Sequence, residues 1–144
     1  MQRECPTSPR FYGRRKGRPL RRGMQDLLTD MLPDLRFDAT RPLATQFNHT
    51  NSGQVDLALE IGFGGGEHLA GLAEANPTVN YIGAEPFVNG VASLLRHIQR
   101  RHLSNIRIWD DDVRLILPAL PVAGLSQVFI MFPDPWPKKR HAAR

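Results

Sequence analysis

Carboxylates recur at one kind of place in this chain. Four apolar runs each deliver an acid at their far end. They are Glu60 in VDLALEIG (55–62), Glu85 closing VNYIGAE (79–85), the trio Asp110, Asp111 and Asp112 after NIRIW (105–109), and Asp134 after LSQVFIMF (125–132). Packing alone does not ask for this regularity. A collar of carboxylates can hold a cation, accept hydrogen bonds from amino and hydroxyl groups, and repel phosphate. Behind Glu60 comes a glycine cluster, Gly62-Phe63-Gly64-Gly65-Gly66. Glycines there let the backbone turn sharply into a helix and approach a ligand closely.

The elements that must position these residues alternate. After each apolar run comes a segment with helical spacing: 66–76 closed by Pro77, then 89–102 with Val91, Leu94, Leu95 and Ile98, then a short helix over 112–117 ended by Pro118. Strands alternating with helices give an α/β domain with a parallel sheet and right-handed crossovers. The fourth run is almost wholly apolar, as expected of a strand covered on both faces. Ahead of this domain, Met24, Leu27, Leu28, Met31 and Leu32 form an amphipathic stripe that docks on the body, with Pro33 as its stop. The domain division is a flexible basic arm over 1–23, a helix and connector over 24–54, and the ligand-binding domain over 55–144.

In an open parallel sheet the ligand lies beyond the carboxyl ends of the strands. A dinucleotide reading fails on two counts. From Gly62 the register puts Glu67 where the third glycine is wanted, and a pyrophosphate on this helix would face Glu60 and Glu67. Those acids suit a cationic ligand without phosphate. S-adenosylmethionine, with its sulfonium, amino group, ribose diol and adenine, has that character. Glu85, 25 residues beyond Glu60, is placed to accept the ribose hydroxyls. An acid at the third strand end can accept from the adenine amino group, and residue types alone leave Asp110, Asp111 and Asp112 open for it.

The stretch FPDPWPKKRH (132–141) fixes Asp134 between Pro133 and Pro135, which restrict the backbone on both sides. Trp136 then offers a flat face, and Lys138, Lys139, Arg140 and His141 supply cations just beyond an acidic pocket. EIGFGGGEHL, IGAEPF, DDDV and above all FPDPWPKKRH together resemble the bacterial tRNA (guanine-N7-)-methyltransferase family, a class I S-adenosylmethionine-dependent group. The resemblance runs from about Arg14 to His141. It implies a Rossmann-like, mostly parallel sheet. It further implies cofactor binding by Glu60, Gly62, Gly64, Glu85, Asp111 and Asp134, with Asp134 also catalytic, and substrate binding by Lys138, Arg140 and His141. Asp111 is taken from the trio because the family sets its acid two residues before a hydrophobic helix residue, here Val113. No metal is implied. The implied substrate is a variable-loop guanine of tRNA, in the cytoplasm, for a monomer or a homodimer. The alternatives are an inactive fragment of such an enzyme, or an amino-directed nucleic-acid methyltransferase, a group with a related pattern of an Asp or Asn before prolines and an aromatic.

Two departures stand beside the resemblance. Ala142-Ala143-Arg144 replaces the family's continued basic run, and about four strands are visible of the usual seven. The expectation is therefore an incomplete sheet, with an apolar edge left open.

Composition bounds the rest. The chain has 144 residues, 41% of them hydrophobic, and a net charge of +5. Residues 1–22 carry a net +7 and the remainder −2, so the basic character belongs to the arm and implies a polyanion partner. No run reaches the roughly 18 apolar residues that a membrane span needs, and no apolar segment of a secretory signal follows the arginines. Cys5 has no second cysteine to pair with.

Overall fold

A computed structural model describes residues 11, 13–48, 50 and 54–130. Its centre is a parallel sheet of four strands in the order β3-β2-β1-β4: β1 Leu57–Ile61, β2 Asn80–Ala84, β3 Ile106–Trp109 and β4 Leu125–Ile130. The chain steps outward from β1 to β3 and then returns to the other side of β1. A topological switch point thus lies between β1 and β4, where ligands bind in such sheets. The three acid-bearing strands end level. Gly62 N donates to Ala84 O at 2.8 Å and Glu85 N to Trp109 O at 2.9 Å.

Alternation along the strands sorts side chains onto two faces. Ala58, Tyr81, Ile106 and Ile108 join Leu69, Ala70 and Ala73 of α3 (Glu67–Ala75) and Val91, Leu94, Leu95 and Ile98 of α4 (Val88–Arg101) in one buried cluster. Leu57, Leu59, Ile82 and Ala84 face the other way, onto Phe37, Phe47 and Ile116. Buried Asn105 ties the layers at the far end, its side-chain amide donating to the carbonyls of Ala73, Asn76 and Val79 at 3.0, 3.2 and 2.8 Å.

The N-terminal segments differ from expectation in three respects. The docking helix α1 runs Arg22–Asp30, and Pro33 does not stop it. Pro33 opens a separate short helix, α2 (Leu32–Leu35), where its missing N–H costs nothing. Residues expected as a polar connector cover the second face of the sheet: Phe37 N donates to Ile108 O at 2.8 Å beside an Arg36–Ile108 bridge, and Phe37 and Phe47 are buried. Within the segment expected as a flexible arm, residues 15–18 are fastened to the start of α4. Val88 N donates to Arg15 O at 2.9 Å, Gly17 N to Asn89 Oδ1 at 2.8 Å, and Asn89 Nδ2 to Arg18 O at 2.8 Å.

The helix expected over 112–117 is instead two 3₁₀ turns, Val113–Leu115 and Leu117–Ala119. The break falls at Ile116, and Pro118 sits at the start of the second turn, where its missing N–H costs nothing. β4 likewise departs from a doubly covered strand: Val128 and Ile130 are 50% and 59% exposed.

Candidate functional site

Glu60 is the fourth residue of β1, on the same face as Ala58 and therefore beneath α3. Its neighbours in register are Gly83 of β2 and Phe129 of β4. The residue is 1% exposed, and its carboxylate Oε2 lies 3.1 Å from His68 Nδ1 on the first turn of α3. Burial pushes the Glu60 carboxyl above its ordinary range, with the His68 hydrogen bond and charge pulling partly the other way.

Beyond β1 the chain passes through Gly62 (φ +71°) and Gly64 (φ +58°), left-handed positions where a side chain would be strained. Among the described residues, and apart from its chain neighbours, nothing lies within 4 Å of where a Cβ would stand at either, so they leave room on the outer side of the loop. The loop is pinned from β2. Glu85 Oε2 accepts from Gly64 N at 3.0 Å, and Oε1 accepts from Phe87 N at 3.0 Å. One carboxylate thus joins the turn after β1 to the turn after β2. Gly90 of α4 makes the complementary approach; a Cβ there would stand 2.1 Å from Gly64 O.

The three aspartates after β3 separate by partner. Asp110 takes both Nε and Nη2 of Arg36, at 2.8 and 2.9 Å. Asp112 is 6% exposed and caps the first 3₁₀ turn, accepting from Arg114 N at 2.9 Å and from its guanidinium, which holds the carboxyl below the usual range. Both are committed to the fold. Asp111, its side chain 40% exposed, accepts from Asp112 N at 2.7 Å and from Arg15 Nη2 of the arm at 2.9 Å. The structure therefore brings Glu60, Gly62, Gly64, Glu85 and Asp111 to one edge of the sheet. Asp134, Lys138, Arg140 and His141 lie outside the described residues. No group of three or more His, Cys, Asp or Glu side chains among the described residues is arranged to hold a metal. No helix among them is long and apolar enough to cross a membrane.

His68 is the residue at this site that the sequence reading does not single out. The signal was present. Leu69, Leu72 and Ala73 follow it at i+1, i+4 and i+5 and mark the core stripe of α3, so His68 borders that stripe just where Glu60 emerges from the sheet.

A family model described as "Putative methyltransferase" matches residues 54–144. The chain is 52% identical over 143 residues to the tRNA (guanine-N(7)-)-methyltransferase of Paramagnetospirillum magneticum (strain ATCC 700264 / AMB-1), covering 94% of this chain and 58% of that protein. Similarity to proteins of the same name is 51% in Rhodospirillum rubrum (98% of this chain, 57% of the relative) and 42% in Agrobacterium fabrum (99% and 62%). The chain thus spans less than two thirds of the length of these relatives.

Proposed function

The chain belongs to this methyltransferase family, and on that premise we propose that it transfers a methyl group from S-adenosyl-L-methionine to N7 of a variable-loop guanine in tRNA. The observation that carries the reading is the convergence of Glu60, Glu85 and Asp111 around a glycine loop with open space beside it. The residues suit the donor, since a carboxylate rim favours a cation and disfavours any phosphate-bearing cofactor. S-adenosylmethionine supplies an electrophilic methyl group on a sulfonium.

In this reading the protein's own groups bind and orient. Glu60 is the counter-charge for the amino-acid end of the donor, Glu85 accepts from the ribose hydroxyls, and Asp111 accepts from the adenine amino group. Guanine N7 carries a lone pair and no proton, so its methylation needs no general base and alignment supplies most of the acceleration. The product ring gains positive charge, which a fixed Asp134 carboxylate favours while accepting guanine N–H groups. Asp134→Asn is predicted to cost about a hundredfold in turnover with cofactor affinity nearly unchanged. Equal loss of both would contradict the assignment.

An acidic pocket repels the RNA backbone, so the grip falls to Lys138, Arg140, His141 and the cationic arm. Such phosphate contacts position the RNA without selecting the base. In an A-form helix N7 faces a groove too narrow to read, so the target guanine must lie in a loop or tertiary junction. Cytoplasmic tRNA is the substrate class that fits.

The test is tritiated-methyl transfer to unmodified tRNA, followed by borohydride and aniline cleavage, which cuts at N7-methylguanine. Label and cleavage at one variable-loop guanine are expected. Label that resists cleavage would point to an exocyclic amino group and overturn the N7 reading.

A further inference from the structure

Glu60 is the most enclosed charged group at the candidate site. β2 presents Gly83 to it, with no side chain, and β4 presents Phe129, with no charge. α3 presents His68, whose Nδ1 stands 3.1 Å from Oε2. Among the described residues, the neighbouring acids face other groups. Glu67 faces His97 of α4 at 3.8 Å, and Glu85 is bonded to the amides of Gly64 and Phe87. Among the described residues, His68 is therefore the side-chain hydrogen-bond partner of Glu60. Its ring is itself fixed from the side, meeting Phe129 edge-on with centroids 5.5 Å apart and planes at 68°.

We propose that His68 is a positioning residue that holds the Glu60 carboxylate in place and in its anionic form, ready for the ammonium group of the bound methyl donor. This rests on the cofactor reading given above. A hydrogen bond donated to the charged form of an acid favours that form, whereas enclosure favours the neutral one. Without the imidazole, enclosure acts alone: Glu60 takes up a proton more readily as pH falls, and a neutral carboxyl has little attraction for an ammonium. His68 acts through Glu60 and the donor need not touch it, so its effect must follow the ionisation of that carboxyl.

Two measurements on the full chain separate this from mere packing. In the first, the Glu60 side-chain carboxyl is titrated by carbon NMR without ligand, in the unmodified chain, His68→Phe and His68→Asn. The Phe variant, which keeps the ring but not the donor, is expected to titrate at higher pH. The Asn variant, which puts an amide N–H near the Nδ1 position, is expected to stay close to the unmodified chain. An unmoved midpoint in His68→Phe overturns the proposal whatever the ligand is. In the second, S-adenosylhomocysteine, which keeps the ammonium and lacks the sulfonium, is titrated into the three proteins between pH 6 and pH 8.5. His68→Phe is expected to bind roughly tenfold more weakly at the acid end, the loss of about one charge-assisted hydrogen bond, with the deficit shrinking as pH rises and Asn restoring most of it. A deficit equal at every pH, with Asn no better than Phe, overturns it. Failure of the unmodified chain to bind strikes the cofactor reading, while the NMR titration still judges the His68–Glu60 coupling.

Discussion

Glu60 sits where a fold selected only for stability would place a leucine. Its neighbours Leu59 and Ile61 are apolar, its flanking strands offer a glycine and a phenylalanine, and burial raises its pKa. A carboxyl whose folded-state pKa lies above its ordinary value stabilises the fold below the ordinary glutamate range, and that contribution disappears as pH rises through the raised value. At neutral pH the buried ion is a net cost. Glu60→Gln keeps the shape and removes the charge, so it is predicted to melt at an equal or higher temperature than the unmodified chain at pH 7. The advantage should fade as pH falls through the raised value, while S-adenosylhomocysteine affinity drops. A clear fall in melting temperature at pH 7 would contradict this. Asp112 has the opposite sign: Arg114 depresses its pKa, so its contribution is present above the ordinary aspartate range and lost on acidification. At this scale Glu60 and Glu85 were legible because strand alternation and strand ends are written in the sequence. The separate duties of Asp110, Asp111 and Asp112 were not, because Arg36 and Arg15, which distinguish two of them, lie 74 and 96 residues away.

Among the elements, the contact of α4 with the glycine loop couples the helix after β2 to the turn after β1. Gly90 permits it, since a methyl group there would meet Gly64 O at 2.1 Å. Alanine is the better helix former by about 1 kcal/mol, so Gly90→Ala does not act through helix propensity. It is predicted to push Gly64 away from Glu85 and to weaken S-adenosylhomocysteine binding at least about tenfold, the worth of one charge-assisted hydrogen bond. Titration calorimetry on the folded variant checks this, and unchanged affinity would contradict it. The strands and the two long helices were legible to within one or two residues in their cores, because their apolar spacing has the period of the element it forms. The errors fell on Pro33 and Pro118, each expected to end a helix and each found near the start of a short helical turn, and on residues 112–117, where one expected helix is broken at Ile116. Phe37 and Phe47 were hidden in a polar stretch, because isolated aromatics carry no period.

For the whole molecule, charge is divided by region. The arm carries a net +7 and the remainder −2, and the arm's Arg15 to Arg18 segment lies against the start of α4 at the rim of the acidic site. In the proposed function, RNA held by the arm would therefore run past the candidate site. Lys16 and Arg18 are exposed. Replacing both by Ala is predicted to flatten the dependence of log tRNA affinity on log salt by roughly 0.7–0.9 per cation removed, if each neutralises one phosphate. S-adenosylhomocysteine affinity should be unaffected. A filter-binding salt series reads this directly, and an unaltered slope would remove the arm from the RNA interface. The full covering expected for the apolar β4 run was not met, since Val128 and Ile130 leave one face of that strand exposed. The docking of the arm was not, since its contacts use backbone groups and Asn89, which no local pattern announces.

The central claim is that the acid-lined edge of this sheet receives a cationic, phosphate-free methyl donor. Isothermal titration of the chain with S-adenosylmethionine, S-adenosylhomocysteine and NAD, repeated on Glu85→Gln, tests it most directly. The account predicts saturable one-site binding of the first two, none of NAD, and a loss of about tenfold or more in the variant. Binding of NAD, or binding of the first two that is indifferent to Glu85, would contradict it.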